Sequence, residues 1–364
     1  MRVVDPINRV QGDFFFRDEH KLDLNSPERE MIVAALGKAP LQWEGSPNTQ
    51  RMREILSQHP RVLETIGPRL LNTIVGMKGC GPAIAFLLEH DVPFEMAQDV
   101  YNPMHEGAWC DAVDSLQALF ESGVVDATSV SVEKPHLGWP DNISLMYWAA
   151  YRGSVPMAEL LIKYGVGKHH ELRMKSNGER GETSLQESVS PPKLGAQEDH
   201  LKVAQLLIDD GAYYDIGSAS ALNDVTRVEA LIAEDATIAH KALEFDMTAL
   251  HWSARAGAVE VTRLLLKNSA DPNALNRSHR TPIQLAAEMN QADIVNLLAE
   301  ADADLNTQDK KGRTPLHRAT YEGKVEAAEA LLANGADPSV TNKNGKTAFE
   351  IARKEAKIFK NALS

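Results

Sequence analysis

The chain has 364 residues, 43% hydrophobic and 24% charged, and a formal net charge of −13. That balance speaks against nucleic acid as a partner, because phosphate binding needs a basic face. No apolar run approaches the ~18 residues that span a membrane, and MRVVDPINRVQGD at the N-terminus lacks the apolar stretch of a secretion signal.

Residues 1–68 show no clear repeat. The first 25 carry FFF at 14–16 among charges and read as an extended arm. SPEREMIVAALG (26–37) reads as a capped amphipathic helix with Pro27 in its first turn. NTQRMREILSQHPRVLETIG (48–67) reads as one or two more, broken near Pro60. A region this short is a cap more readily than a catalytic domain.

From 69 onward one pattern recurs with increasing regularity. A decayed copy surrounds AIAFLLEHDV (83–92), Asn102 opens NPMHEGAWCD, and Ser144 opens SLMYWAAYRG. Thr183 opens TSLQESV, followed by an insertion containing Pro191 and Pro192, and a shortened unit runs from Tyr213 to Leu243. Thr248 (TALHWSARAG), Thr281 (TPIQLAAEMN), Thr314 (TPLHRATYEG) and Thr347 (TAFEIARKEA) then stand 33 residues apart. A fixed period of this size is the mark of stacked two-helix units that bury their faces only against neighbours.

Each unit holds the residues such a pair needs. Thr314 accepts from an orphan backbone N–H and Pro315 is tolerated in the first turn. Leu316, Ala319 and Thr320 follow at helical spacing and Gly323 breaks the first helix. Ala327, Ala328, Leu331 and Leu332 stripe the second, and Gly335 is placed for a left-handed cap.

TPLHRA (314–319), ANGADPS (333–339), TALHWSA (248–254) and KNSADPN (267–273) resemble the ankyrin-repeat family. The resemblance implies an all-α ankyrin-repeat α-solenoid of about eight repeats, several of them degenerate. Each repeat would carry a β-hairpin or finger loop, an inner helix and an outer helix. The expected organisation is an N-terminal helical cap and arm (1–68), degenerate repeats with loop insertions (69–243), regular repeats (244–346) and a C-terminal capping helix (347–364). Spacings widen around 126–142 and 166–182, where finger loops belong; neutral drift and a functional insertion both fit.

Charge is uneven along the chain, with three basic against 11 acidic side chains over 69–143. A basic partner would be steered there, although simple solubility of an elongated array explains it as well. Cys80 and Cys110 belong to no metal-ligand or CxxC motif and read as reduced thiols of a cytosolic protein. His105, His251 and His317 each stand three residues after a helix-opening residue, where the family's histidine is structural. His169 and His170 have only Glu171 nearby as a further ligand, and a solvated loop explains them. No GxSxG, HExxH or EF-hand spacing occurs, so neither an enzyme nor a cofactor or metal site is expected.

By the resemblance, residues seven and eight after each opening residue face the concave groove, as do the hairpin residues before it. Those positions hold Trp109, Tyr151, Arg152, Arg255, Met289 and Tyr321, and Met247, Arg280 and Arg313, with Phe245 two before Met247. Aromatic, arginine and methionine side chains are enriched at protein interfaces. Trp148 and Trp252 are expected wedged between repeats. The reading is a non-catalytic interaction module for a protein partner, with no nucleic acid or membrane involved. The alternatives are a pocket walled by Trp109, Tyr147, Trp148 and Tyr151 in an enzyme or small-molecule binder, and a self-associating scaffold.

Overall fold

The computed structural model describes residues 26–36, 47–94, 103–125, 144–166, 183–189 and 198–351. The expected arm, all of the loop insertion at 126–142 and all but residue 166 of that at 166–182, the Pro191–Pro192 segment and the capping helix beyond residue 351 lie outside them. The chain divides into two compact units, 1–184 with 202–212, and 185–201 with 213–364.

In the first unit, α1 (Pro27–Leu36) and α2 (Thr49–Gln58) precede the helix pairs α3 (Val62–Ile74) with α4 (Gly81–Glu89), α5 (Pro103–Cys110) with α6 (Val113–Ser122), and α7 (Leu145–Arg152) with α8 (Val155–Lys163). The chain breaks at 59–61 as Pro60 requires, but α3 runs through Pro68, so a boundary at 68 falls inside a helix. Inner helices α5 and α7 pack side by side, and the outer helices α4, α6 and α8 do the same in order.

Next come α9 (Ser184–Val189) and α10 (Glu198–Asp209). The second unit continues with α11 (Ile216–Ala221) and α12 (Val225–Glu234), α13 (Ala249–Ala256) and α14 (Val259–Lys267), α15 (Pro282–Glu288) and α16 (Ala292–Glu300), α17 (Pro315–Tyr321) and α18 (Val325–Ala333), and α19 (Ala348–Ile351). Inner helices α11, α13, α15, α17 and α19 pack in sequence order, with outer helices behind them. The core between the layers is mostly alanine and leucine, including Ala254, Ala287, Leu298, Ala319 and Leu331. Small side chains let helix axes approach to about 8 Å, the lower end of helix packing distances.

Three hydrogen-bond ladders repeat with the sequence. At the inner-helix start, Thr248 and Thr314 each form a capping box with the residue three further on, His251 and His317, while at Thr281 only the returning half is made, Gln284 Oε1 accepting from the Thr281 N–H at 3.0 Å. That same side chain reaches forward one repeat: His251 Nε2 to the Arg280 carbonyl at 2.9 Å, Gln284 Nε2 to that of Arg313 at 2.7 Å, and His317 Nε2 to that of Lys346 at 2.9 Å. At the outer turns, Asn273 and Asn306 accept from the backbone N–H of Asp304 at 2.7 Å and Asp337 at 2.9 Å. Between the helices of a pair, Gly257, Asn290 and Gly323 all take left-handed backbone, φ 79°, 64° and 69°. The asparagine also accepts from the N–H of Ala327 at 3.1 Å, a bond glycine cannot make.

The finger loops differ from a β-hairpin expectation. Among the described residues there is no strand; in the second unit an isolated antiparallel bridge joins Thr341 and Thr347. Each loop is closed by a backbone bond across it: Leu243 N–H to Met247, Asn276 to Arg280, Asp309 to Arg313 and Asn342 to Lys346, at 2.7–3.0 Å. The last three add a second, from the N–H of His279, Gly312 and Gly345 to the carbonyl of Asn276, Asp309 and Asn342. In the last three, the side-chain oxygen of Asn276, Asp309 or Asn342 takes two further loop N–H groups. Adjacent fingers also meet through single backbone bonds, the Arg277 N–H to the Phe245 carbonyl at 2.9 Å and the Lys343 N–H to that of Lys311 at 3.2 Å.

Candidate functional site

The surface expected from the sequence falls on both units. In the first unit, Trp109 on α5 meets Trp148 edge-on at 4.9 Å and Tyr151 at 6.0 Å, and Tyr147 stacks on Tyr151 at 6.3 Å. The exposed Arg152 lies over the Trp109 ring at 5.7 Å. The rings pack on one another, a preference of aromatic groups worth about 1 kcal/mol per pair. Trp148 is wedged as expected, and its Nε1–H donates to His105 Nδ1 at 3.2 Å. Trp109, Tyr147 and Tyr151 remain half-buried.

In the second unit, Trp252 is fully buried and packs with Met247 and Leu285. Met247 thus fills an interior position, a correction to the expectation that it faces a partner; Phe245 above it is half-buried, with Arg277 over its ring at 5.9 Å. Arg255, Met289 and Arg280 are half-buried, and Tyr321 is 38% exposed at the end of α17.

Arg280 and Arg313 are tied into an ionic network that sequence reasoning missed. Arg280 pairs with Glu288 at 2.7 Å and Arg313 with Asp309 at 2.9 Å. Arg318 bridges them, 2.7 Å from Asp309 and 3.5 Å from Glu288. Arg318 stands four residues after Thr314, the register position that Trp252 and Leu285 occupy in the two preceding repeats. A buried guanidinium there needs a partner, and Asp309 on the finger loop supplies it. Burial pushes the Asp309 carboxyl up, but the N–H groups of Arg313 and Lys311 with the two guanidinium groups hold it below the usual carboxylate range.

Burial shifts both cysteines and two of the histidines singled out in the sequence. Burial pushes the Cys80 thiol up to about 12, with Asp114 adding to it. It pushes Cys110 to about 12 as well, helped by Glu106. Thiolates are scarce at such values. Burial also lowers His105 and His251 to about 4, so both are neutral at pH 7. Among the described residues, no three His, Cys, Asp or Glu side chains gather as metal ligands would.

These features are those of ankyrin repeats. The family described as "Ankyrin repeats (3 copies)" matches residues 216–309, and "Ankyrin repeats (many copies)" matches 288–352. Residues 216–352 of the chain are thus a run of ankyrin repeats. Among curated proteins it is similar to the E3 ubiquitin-protein ligase XB3 of Oryza sativa subsp. japonica, 37% identical over 78 residues, which are 21% of this chain and 17% of that one. It is likewise similar to the probable E3 ubiquitin-protein ligase XBOS31 of the same organism, 37% identical over 75 residues, 20% of this chain and 17% of that one. The chain thus spans about a sixth of either relative, and the likeness is little more than two 33-residue periods long. Among the described residues, no helix is long and apolar enough to cross a membrane.

Proposed function

We propose that this chain is a non-catalytic interaction module that holds a protein partner along the groove-side ends of its inner helices and its finger loops, in a cytosolic setting. The observation that carries the reading is the division of labour within each repeat of the second unit. One side chain per repeat, His251, Gln284 or His317, locks the scaffold. The residue four further along the same helix, Arg255, Glu288 or Tyr321, varies in chemistry and is partly exposed. A fixed frame with variable side chains on one side suits recognition, and interface energy concentrates in aromatic and arginine anchors. Inert thiols and neutral buried histidines support a binding role over catalysis. No resident cofactor is assigned.

The test is affinity purification of the full chain from its native cell, followed by quantitative binding of the co-purified protein to alanine variants. Arg255→Ala and Tyr321→Ala should weaken it, while Glu260→Ala and Glu300→Ala on the outer helices should not. Loss of binding from the outer-helix changes alone would overturn the assignment.

A further inference from the structure

The second unit is electrically two-sided. The finger loops 274–281, 307–314 and 340–347 carry seven Lys and Arg side chains and a single carboxylate, Asp309. The outer helices and turns behind them, 259–273, 292–306 and 325–339, carry nine carboxylates against two cations. Five of the loop cations are exposed: Arg277, which pairs with Asp246 of the preceding finger loop at 3.6 Å, and Lys310, Lys311, Lys343 and Lys346. Asp309 cannot offset them, being buried and engaged by Arg313 and Arg318.

The scaffold brings these charges together. The Lys343 N–H donates to the Lys311 carbonyl at 3.2 Å, so adjacent fingertips touch through their backbones. A Cβ on Gly312 would lie 2.7 Å from the Lys343 nitrogen, another measure of that closeness. Lys310, Lys311 and Lys343 are exposed and form no ion pair among the described residues. Gathering like charges without a counter-charge costs stability, which a bound anion would offset. On this chain, with its excess of 13 negative charges, such a ridge is a local reversal of sign.

We infer that the fingertip ridge of residues 276–346 docks an extended, acidic polypeptide segment with carboxylates about three residues apart. Neighbouring repeats put their helices ~8–10 Å apart, and an extended chain in the polyproline II form, with three residues per turn and a rise of ~3.1 Å per residue, presents every third side chain on one face at ~9 Å. One carboxylate per fingertip follows. A nucleic-acid duplex fits worse, because its phosphate charge is laid down every ~1.7 Å of axis and would also meet the acidic outer turns at Asp271, Asp304 and Asp337. The inference rests on reading the repeats as a protein-binding array and names the chemistry of one part of the partner.

The experiment uses the full chain and fluorescence anisotropy with a labelled 15-residue peptide of Glu-Gly-Ser repeats. Its controls are the Gln-Gly-Ser peptide and a labelled 15-nucleotide oligothymidylate, each at 50 mM and 300 mM NaCl. The Glu peptide should bind saturably, the Gln peptide should not, and raising the salt should weaken the interaction severalfold. The variant K310S/K311S/K343S, changed only at exposed positions and checked by circular dichroism, should bind the Glu peptide about tenfold more weakly. Tighter binding of the oligonucleotide than of the Glu peptide overturns the inference in favour of a nucleic acid. Self-association of the wild type that the triple variant abolishes overturns it in favour of a second copy of the chain. Absence of Glu-peptide binding, or binding that the triple variant leaves unchanged, also overturns it. If the co-purified partner then still depends on Tyr321, the interaction module stands and only the acidic-segment inference falls.

Discussion

His251 and Arg280 are joined across a repeat boundary: the ring Nε2–H donates to the Arg280 main-chain oxygen at 2.9 Å while Nδ1 accepts from the Thr248 N–H at 3.1 Å. The ring is thereby fixed as one neutral tautomer, and one side chain both caps its own helix and ties down the next finger loop. Gln284 makes the same two connections, accepting from Thr281 at 3.0 Å and donating to Arg313 at 2.7 Å. The substitution His251→Gln should therefore keep both bonds and cost under about 1 kcal/mol. His251→Leu leaves two buried backbone groups unpaired and should cost about 3 kcal/mol. Urea unfolding followed by the fluorescence of buried Trp252 separates the two outcomes, and equal losses would show that packing alone matters here.

The same ring makes stability sensitive to acid. Burial lowers His251 from its ordinary 6.5 to about 4, against opposing contributions from the Arg280 backbone, Asp271 and the Ala274 backbone. The unfolded chain binds the proton more readily, so the ring's contribution is complete above pH 6.5 and is lost as pH falls toward 4. At the lower end the loss is roughly 3 kcal/mol, since each tenfold difference in proton affinity between the folded and unfolded chain is worth about 1.4 kcal/mol. Protonation would also set a second N–H against the Thr248 donor. Midpoints measured from about pH 7 to 4.5 should fall, and fall less in His251→Gln; identical slopes would remove His251 from the cause.

Much of this fold is legible in the sequence because the frame is made by residues with narrow roles. Thr248 and Thr314 cap, Gly257 and Gly323 turn left-handed, and alanines let helices close up. Trp148 and Trp252 are buried where their register places them. Met247 is misjudged because a hairpin position one residue before the cap points inward where Trp252 leaves apolar surface to cover. Arg318 escapes notice since an interior arginine makes sense only with Asp309, and nothing in the sequence marks Asp309 as buried. The basic fingertips are hidden by counting charge along the chain: residues 215–364 sum to −3 because basic loops alternate with acidic outer helices.

The Asp309 network permits a graded test. Asp309→Asn keeps the loop bonds, since Asn276 and Asn342 make them with the same side-chain oxygen. It loses the charge that faces Arg318 and should lower stability by about 1–2 kcal/mol. Asp309→Ala also loses the turn and strands a buried guanidinium, which should cost about 3–5 kcal/mol. Thermal melts of both variants check the order, and Asp309→Ala melting like the wild type would show that Glu288 alone satisfies Arg318.

In the first unit, α4 lacks a cap of its own side chain, and Asp114 of α6 serves instead, accepting from the N–H groups of Gly79 at 3.0 Å and Gly81 at 2.8 Å. A Cβ at Gly81 would sit 2.7 Å from the Asp114 carbonyl oxygen, a backbone atom that cannot step aside. Alanine normally gains up to about 1 kcal/mol over glycine within a helix; overpacking of this kind costs about 1–3 kcal/mol and should win. Gly81→Ala should thus destabilise the first unit, and Asp114→Ala should do so independently by removing the cap. A stabilised Gly81→Ala protein would mean that α4 and α6 separate readily.

The last prediction distinguishes anchor from scaffold among the surface aromatics. Tyr321 is 38% exposed at the end of α17, whereas Tyr151 lies against Trp109, Tyr147 and Trp148 with ring centres 6.0–6.3 Å apart. Tyr321→Ala should weaken binding of the co-purified partner by about 2 kcal/mol, roughly thirtyfold, if Tyr321 is a hot spot, with an unchanged melting curve. Tyr151→Ala should weaken binding and also lower the stability of the first unit by about 1 kcal/mol or more, because several ring contacts go with it. Titration of each variant against the partner, with circular dichroism melts in parallel, reads both effects. Tyr321→Ala binding like the wild type, with Glu300→Ala on the outer helix abolishing the complex, would move the interface to the opposite face of the repeats.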